Sequence, residues 1–158
     1  MSRSPFTRPP PSVAEVEAYL HKHIPLTADM GVRVVVCDAS GVTLRAPLAP
    51  NINHHATVFG GSTSAVGILS AWTWLHFALR SAGHTSRLVI QRNTVDYLAP
   101  ITRDFEARCA GLPPGQFEEF LRTLDRYGKA RVKLTVALTC GGEKAAAFSG
   151  DYVATRDK

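Results

Sequence analysis

The run from Gly60 to Leu79 contains no Lys, Arg, Asp or Glu. Within it Val66, Ile68, Leu69, Trp72, Trp74, Leu75, Phe77 and Leu79 cover most of a helix circumference. A helix patterned in this way has no solvent face and needs protein on nearly every side. At about 1.5 Å per residue, a helix from Gly61 to about Ser81 is about 30 Å long, enough to cross a small domain. Ser62, Thr63, Ser64, Ser70, Thr73 and His76 make it a poor membrane span, so it reads as the buried centre of a globular domain.

The flanking sequence supplies what would surround it. Ser12-Val13-Ala14-Glu15 matches a capping box and opens a first helix over Val13–His23, stopped at Pro25. Val32–Asp38 and Gly41–Pro47 read as two β-branched strands, the second with Val42, Leu44 and Ala46 on one face. After the central helix, Arg87–Asn93 reads as a strand ending in Tyr97-Leu98-Ala99-Pro100, and Asp104–Ala110 as another. Phe117, Phe120, Leu121 and Leu124 recur at i, i+3, i+4 and i+7, the signature of a short amphipathic helix ending near Gly128. Val132, Leu134, Val136 and Leu138 then alternate with Arg131, Lys133, Thr135 and Ala137, and the Cys140-Gly141-Gly142-Glu143 turn returns the chain as a last strand over Lys144–Ala154. Hairpins dominate, so the class is α+β. One antiparallel β-sheet wrapped around a long central helix is the simplest way to bury that helix, which is the hotdog arrangement. With 158 residues, 45 % of them hydrophobic, the expected organisation is a flexible tail over residues 1–11, with four prolines, and a single domain over 12–158.

Charge and cysteine content narrow the function class. A formal charge of +5 suits an anionic ligand, but the 18 Lys and Arg are scattered, without the patterns of a nucleic-acid-binding module. Cys37, Cys109 and Cys140 form no CxxC pair and are odd in number, which implies a reducing, cytoplasmic setting with Cys37 and Cys109 as buried hydrophobes.

The chemistry-bearing residues crowd the start of the central helix. Backbone N–H groups at Gly60 and Gly61 precede the first intrahelical bonds and carry the positive end of the helix dipole, suited to a carbonyl or oxyanion. Asn53 either orients a water or the substrate carbonyl or bonds its own loop; Asn51 carries the same two readings. His54 and His55 carry imidazoles, the side chain suited to proton transfer near neutral pH, and neighbours in an extended loop point opposite ways, so at most one of them faces the site. Ser62, Thr63 and Ser64 are helix caps or water-positioning hydroxyls. Asp96 is the acid nearest the Tyr97–Pro100 turn. Trp72 and Trp74 face different directions, one to the core and one to an acyl or interface pocket. Arg45, Arg92 and Arg103 are strand positions within reach of ligand phosphates. The histidines lack spaced thiol or carboxylate partners, so no metal is expected.

The run Pro50-Asn51-Ile52-Asn53, Thr57 and Phe59-Gly60-Gly61-Ser62, with Trp72 in the helix and Tyr97-Leu98-Ala99-Pro100 after the third strand, resembles the thioesterase family known as the YiiD C-terminal domain, a hotdog-fold group. The resemblance covers nearly the whole chain and suggests the stand-alone form. It implies hydrolysis of acyl-CoA or acyl-carrier-protein thioesters by a homodimer or dimer of dimers, with coenzyme A entering only as part of the substrate, no cofactor, and neither nucleic acid nor membrane as partner. Better-characterised hotdog thioesterases of the phenylacetate-pathway type carry a loop Asn, a His-Gly-Gly and a helical acid. Asn53, Gly60 and Gly61 match that pattern, whereas Phe59 stands in place of the histidine and Ile68 in place of the acid. The expected catalytic set is therefore Asn53, His55, Gly60, Gly61, Ser62 and Asp96, with Asn51, His54, Thr57, Phe59, Ser64, Trp72 and Arg92 binding substrate. Two alternatives are a non-catalytic acyl-CoA-binding or regulatory hotdog protein and, third, a hotdog dehydratase.

Overall fold

A computed structural model of the chain describes residues 4–157. Helix α1 is Val13–His23, and its capping box forms in full: Ser12 Oγ accepts from the Glu15 N–H and Glu15 Oε2 accepts from the Ser12 N–H, each at 3.1 Å. Pro25, expected only to end α1, instead opens a further single turn, α2 (Leu26–Asp29), because the first turn of a helix does not need the missing N–H. Strands β1 (Arg33–Asp38) and β2 (Gly41–Ala46) follow, then a 3-10 turn at Ala49–Asn51 and the central helix α3, Gly60–Ser81. The remainder is β3 (Ser86–Tyr97), β4 (Phe105–Cys109), α4 (Pro114–Tyr127), β5 (Lys129–Cys140) and β6 (Glu143–Arg156).

The strands form one six-stranded antiparallel sheet in the order β1-β2-β4-β5-β6-β3. Strand β3 is longer than the expected Arg87–Asn93 because it pairs with β6 from Ser86 opposite Arg156 to Tyr97 opposite Ala146. It is a sheet edge. The sheet curls around α3, which packs on β2, β3, β4, β5 and β6. This is the hotdog fold. Among the described residues, no helix is long and apolar enough to cross a membrane.

The core follows the alternation in the sequence. Val42, Leu44 and Ala46, with Leu134, Val136 and Leu138, face Val66, Leu69, Trp74, Leu75 and Leu79 of α3, all buried. Each such side chain contributes roughly 1.5–3 kcal/mol by leaving water. Two hydroxyls of α3 that are carried inside are satisfied: Ser70 Oγ donates to Ala107 O at 3.3 Å and Thr73 Oγ1 to Leu69 O at 2.7 Å, whereas His76 Nε2 is buried without a hydrogen-bond partner. Tyr152 of β6 donates its buried hydroxyl to Ile68 O at 2.7 Å, locking helix to sheet. Helix and sheet approach closely at Gly67, where a Cβ would stand 3.0 Å from the Phe148 ring. Burial raises the thiol pKa of Cys37 to about 12, with Asp38 adding to it, and that of Cys109 to about 11, so both stay protonated hydrophobes.

The N-terminal segment is placed more firmly than a loose tail. Met1–Arg3 lie outside the described residues, but Phe6 is buried against the Trp74 ring edge, 6.5 Å between centroids. Thr7 Oγ1 also donates to Ser81 O at 2.7 Å, and the Arg8 N–H to Ser81 Oγ at 3.2 Å. One apolar residue among the prolines suffices to seat the segment on the end of α3.

On its remaining side α3 meets α1 through stacked rings: His76 lies flat on Trp72 at 4.5 Å and 12°, and against Tyr19 at 5.0 Å. Burial, then Arg80 and His23, push the His76 pKa down to about 4. His76 is thus neutral in the folded chain down to about pH 4, while in the unfolded chain it takes up a proton near pH 6.5. Its contribution is full above pH 6.5 and is lost as the pH falls toward 4. In thermal melts over that interval, His76→Gln is expected to lose less of its melting temperature than the parent. Gly67→Ala is expected to lower stability in urea denaturation by about 1–3 kcal/mol, because Phe148 is buried and cannot yield, and this outweighs the roughly 0.5–1 kcal/mol that alanine adds to a helix.

Candidate functional site

Helix α3 starts with no side-chain cap: Phe59 occupies the cap position, and its carbonyl accepts from the Ser62 and Thr63 N–H groups at 2.9 and 3.2 Å. The expected capping by Ser62, Thr63 or Ser64 is not realised, because the helix begins at Gly60 and these residues already lie inside it. The Gly60 and Gly61 N–H groups have no acceptor among the described residues, and no acid sits in the first turn. A 22-residue helix therefore presents two free donors and an uncompensated dipole.

The preceding loop is fixed by its own amides. Asn51 is buried; its Nδ2 donates to Met30 O at 2.9 Å and Pro47 O at 2.8 Å, and its main-chain carbonyl accepts from the Phe59 N–H at 2.7 Å. Asn53 closes the turn that follows. Its Oδ1 accepts from the His55 and Thr57 N–H groups at 2.8 and 3.2 Å, and its Nδ2 donates to Thr57 Oγ1 at 2.9 Å. Of the two readings of each asparagine, the geometry realises the loop-forming one. Thr57 is likewise engaged by Asn53. The histidines do not point opposite ways: a tight turn with Ala56 at φ 61° replaces the extended loop, and the exposed His54 and His55 rings lie 3.8 Å apart between centroids.

From the far end of β3, Tyr97 donates its hydroxyl to Gly60 O at 2.9 Å, tying the sheet to the helix start. Leu98 and Ala99 N–H groups bond Ala145 O at 2.9 and 3.1 Å, and the Val58 N–H bonds Ile101 O at 2.8 Å. A cavity of about 410 Å³ opens between these segments, with Gly60, Thr63 and Tyr97 in its wall. Phe59, Tyr97 and Leu98 are 58, 58 and 59 % exposed, an unusual concentration of bare large apolar groups. None of the residues lining this cavity carries a carboxylate or an imidazole. Tyr97 and Leu98 are contributors that the residue-by-residue reading did not single out; the available signal was an aromatic-apolar pair ending a strand just before a proline.

Other expected members lie further off. Asp96 is on the opposite face of β3 from Tyr97. Arg92, in mid-strand, pairs in register with Asp151, while Arg45 is bound to Glu106 at 2.6 Å and Arg103 lies against Gly141. Trp72 and Trp74 do diverge, donating to Leu88 O and Asp38 O, each at 3.2 Å. Ser64 and Trp72 are half-buried on α3. Among the described residues, no three His, Cys, Asp or Glu side chains are grouped to hold a metal ion.

Residues 13–156 match a family model described as "Putative thioesterase (yiiD_Cterm)". A crystal structure titled a "putative thioesterase" from Shewanella oneidensis is 31 % identical, with a TM-score of 0.80 over 90 % of this chain and 96 % of that one. A protein of unknown function from Chlorobaculum tepidum TLS superposes with a TM-score of 0.88 at 23 % identity, covering 92 and 94 % of the two chains. A Pseudomonas aeruginosa protein titled "Probable Thioesterase" gives 0.76 at 20 % identity over 94 and 98 %. The latter two share the fold.

The bonds of Asn53 set an expectation for its variants. Asn53→Ala, which removes both acceptor bonds of the turn, is expected to cost about 1–2 kcal/mol in chemical denaturation, whereas Asn53→Asp, which keeps the acceptors, costs under half as much.

Proposed function

The chain belongs to the YiiD C-terminal thioesterase family, and from that premise we propose that it hydrolyses acyl thioesters carried on coenzyme A or acyl carrier protein. The observation that carries this reading is the pair of unbonded N–H groups at Gly60 and Gly61, set at the positive end of α3 beside an open cavity. Water attacks the thioester carbonyl carbon, the two amides stabilise the oxyanion as it forms, and the C–S bond breaks to release the thiol and the acid. The proton of the attacking water passes to His55 of the neighbouring turn or to Asp96 across a dimer interface, and the departing thiolate is protonated in turn. Asn53 holds the turn that carries His55, so it positions rather than reacts.

Dimerisation enters the same reading. The exposed Phe59, Tyr97 and Leu98 and the unpaired edge of β3 suit association of two copies into a homodimer or dimer of dimers that completes the site with the acid-base group absent from the cavity wall. No cofactor takes part. The second reading, a non-catalytic acyl-CoA-binding protein, draws on that same absence and on Phe59 and Ile68 standing where related hotdog enzymes hold reactive groups.

Gly60→Pro tests the mechanism cleanly. Phe59, at ψ 131°, is already extended as a residue before proline requires, and proline is favoured at the first helical position, so the substitution deletes one N–H and leaves the helix start in place. With a thiol-reactive dye and acyl-CoA or acyl-carrier-protein substrates, the parent is expected to release thiol above background. Gly60→Pro is expected to be slower by about 10²-fold at an unchanged melting temperature. Equal rates in both would remove the oxyanion role, and saturable acyl-CoA binding without any release would select the second reading.

A further inference from the structure

Gly61, Ala65, Ile68 and Trp72 are spaced i, i+4, i+7 and i+11 and form one stripe along α3. The stripe begins at a free N–H and continues into a crevice of about 240 Å³, in which Ala65, Ile68 and Trp72 face Ile24, Leu26 and Met30 of the α1–α2 region. No charged residue lines it. Leu26 stands on its rim, 57 % exposed. The far end is a fixed wall, since the Trp72 indole is held by its bond to Leu88 O and by the stacked His76. At the near end the Phe59 ring lies on the face of Gly61, occupying the space that any side chain there would need.

We infer that this crevice receives the acyl tail of the thioester and limits it to medium length. The inference rests on the proposed thioesterase reading, because it is the carbonyl at Gly60 and Gly61 that directs the tail down the stripe. An occupant that reaches the crevice from that carbonyl meets an uncharged, mostly apolar lining with Trp72 furthest along the stripe, which suits a saturated chain. From Gly61 to Trp72 the helix rises about 16 Å. An extended chain advances about 1.2 Å per bond, judged from the roughly 3.3–3.6 Å spanned by each three-bond residue, so about 13 carbons reach the Trp72 ring. Phe59 lies across the first turn of the stripe, where it covers the reacting end of the chain. On this reading an apolar residue at 68 extends the acyl channel past the position where related hotdog enzymes carry an acid.

Calorimetric titration of the full chain with acetyl-, decanoyl- and stearoyl-CoA tests this without requiring turnover. Decanoyl-CoA is expected to bind at least about tenfold more tightly than acetyl-CoA, with stearoyl-CoA gaining nothing further. Ala65→Phe, which fills the crevice, is expected to weaken decanoyl-CoA at least about tenfold more than acetyl-CoA; Ala65→Leu serves if the larger ring prevents folding. Equal affinity for decanoyl- and acetyl-CoA in the parent, or a preference for decanoyl-CoA that survives filling, would overturn the inference. So would a filled variant that changes only oligomeric state on a sizing column, which would make the crevice an interface between copies. A decanoyl preference that is lost on filling, in a protein that releases no thiol from any acyl-CoA, would leave the crevice standing and remove the hydrolytic reading instead.

Discussion

Everything in this fold depends on burying a helix that carries no charge along most of its length. α3 cannot stand in water on any side, so the sheet must curl around it, and a curled sheet of six strands ends in two edges, β1 and β3. Helix α1 lies beside β1 and α2 beside α1, and the α1–α2 region leaves the crevice between itself and Ile68 and Trp72 of α3. Three of the hydroxyls taken inside are answered, Ser70 by Ala107, Thr73 by its own helix, and Tyr152 by Ile68. The same requirement that makes the core therefore decides where it stays open.

Those openings are where the proposed chemistry is assigned. Here the donors sit beside a cavity between the loop and the end of β3, and the turns around them are built from amides that bond inward. The loop is rigid because Asn51 and Asn53 are spent on it, and that rigidity is what holds Phe59 and the glycine pair in place.

Much of the fold was legible in the sequence because burial imposes periodicity. The alternation from Val132 to Leu138 and the uncharged run of α3 each admit one secondary structure, and both elements appear where that pattern places them. Strand β3 was legible only in part: Gln91, Arg92, Asn93 and Thr94 are all exposed, so no alternation marks its second half. α2 is too short to carry a period. At the site, the glycine pair and its helix dipole follow from local sequence, but the Tyr97 contact joins residues far apart in the chain and leaves no local mark. The close approach of the His54 and His55 rings goes with the positive φ of Ala56, a backbone state that alanine does not advertise.

The Tyr97 hydroxyl bond to Gly60 has a mechanical meaning. β3 is at once an outer margin of the sheet and the strand that grips the first residue of the central helix, so it acts as a lever with its short arm in the cavity. A second chain paired along that margin would lie against the strand whose phenol holds the first residue of the central helix, so the margin open to pairing and the start of the donor-bearing helix are one hydrogen bond apart.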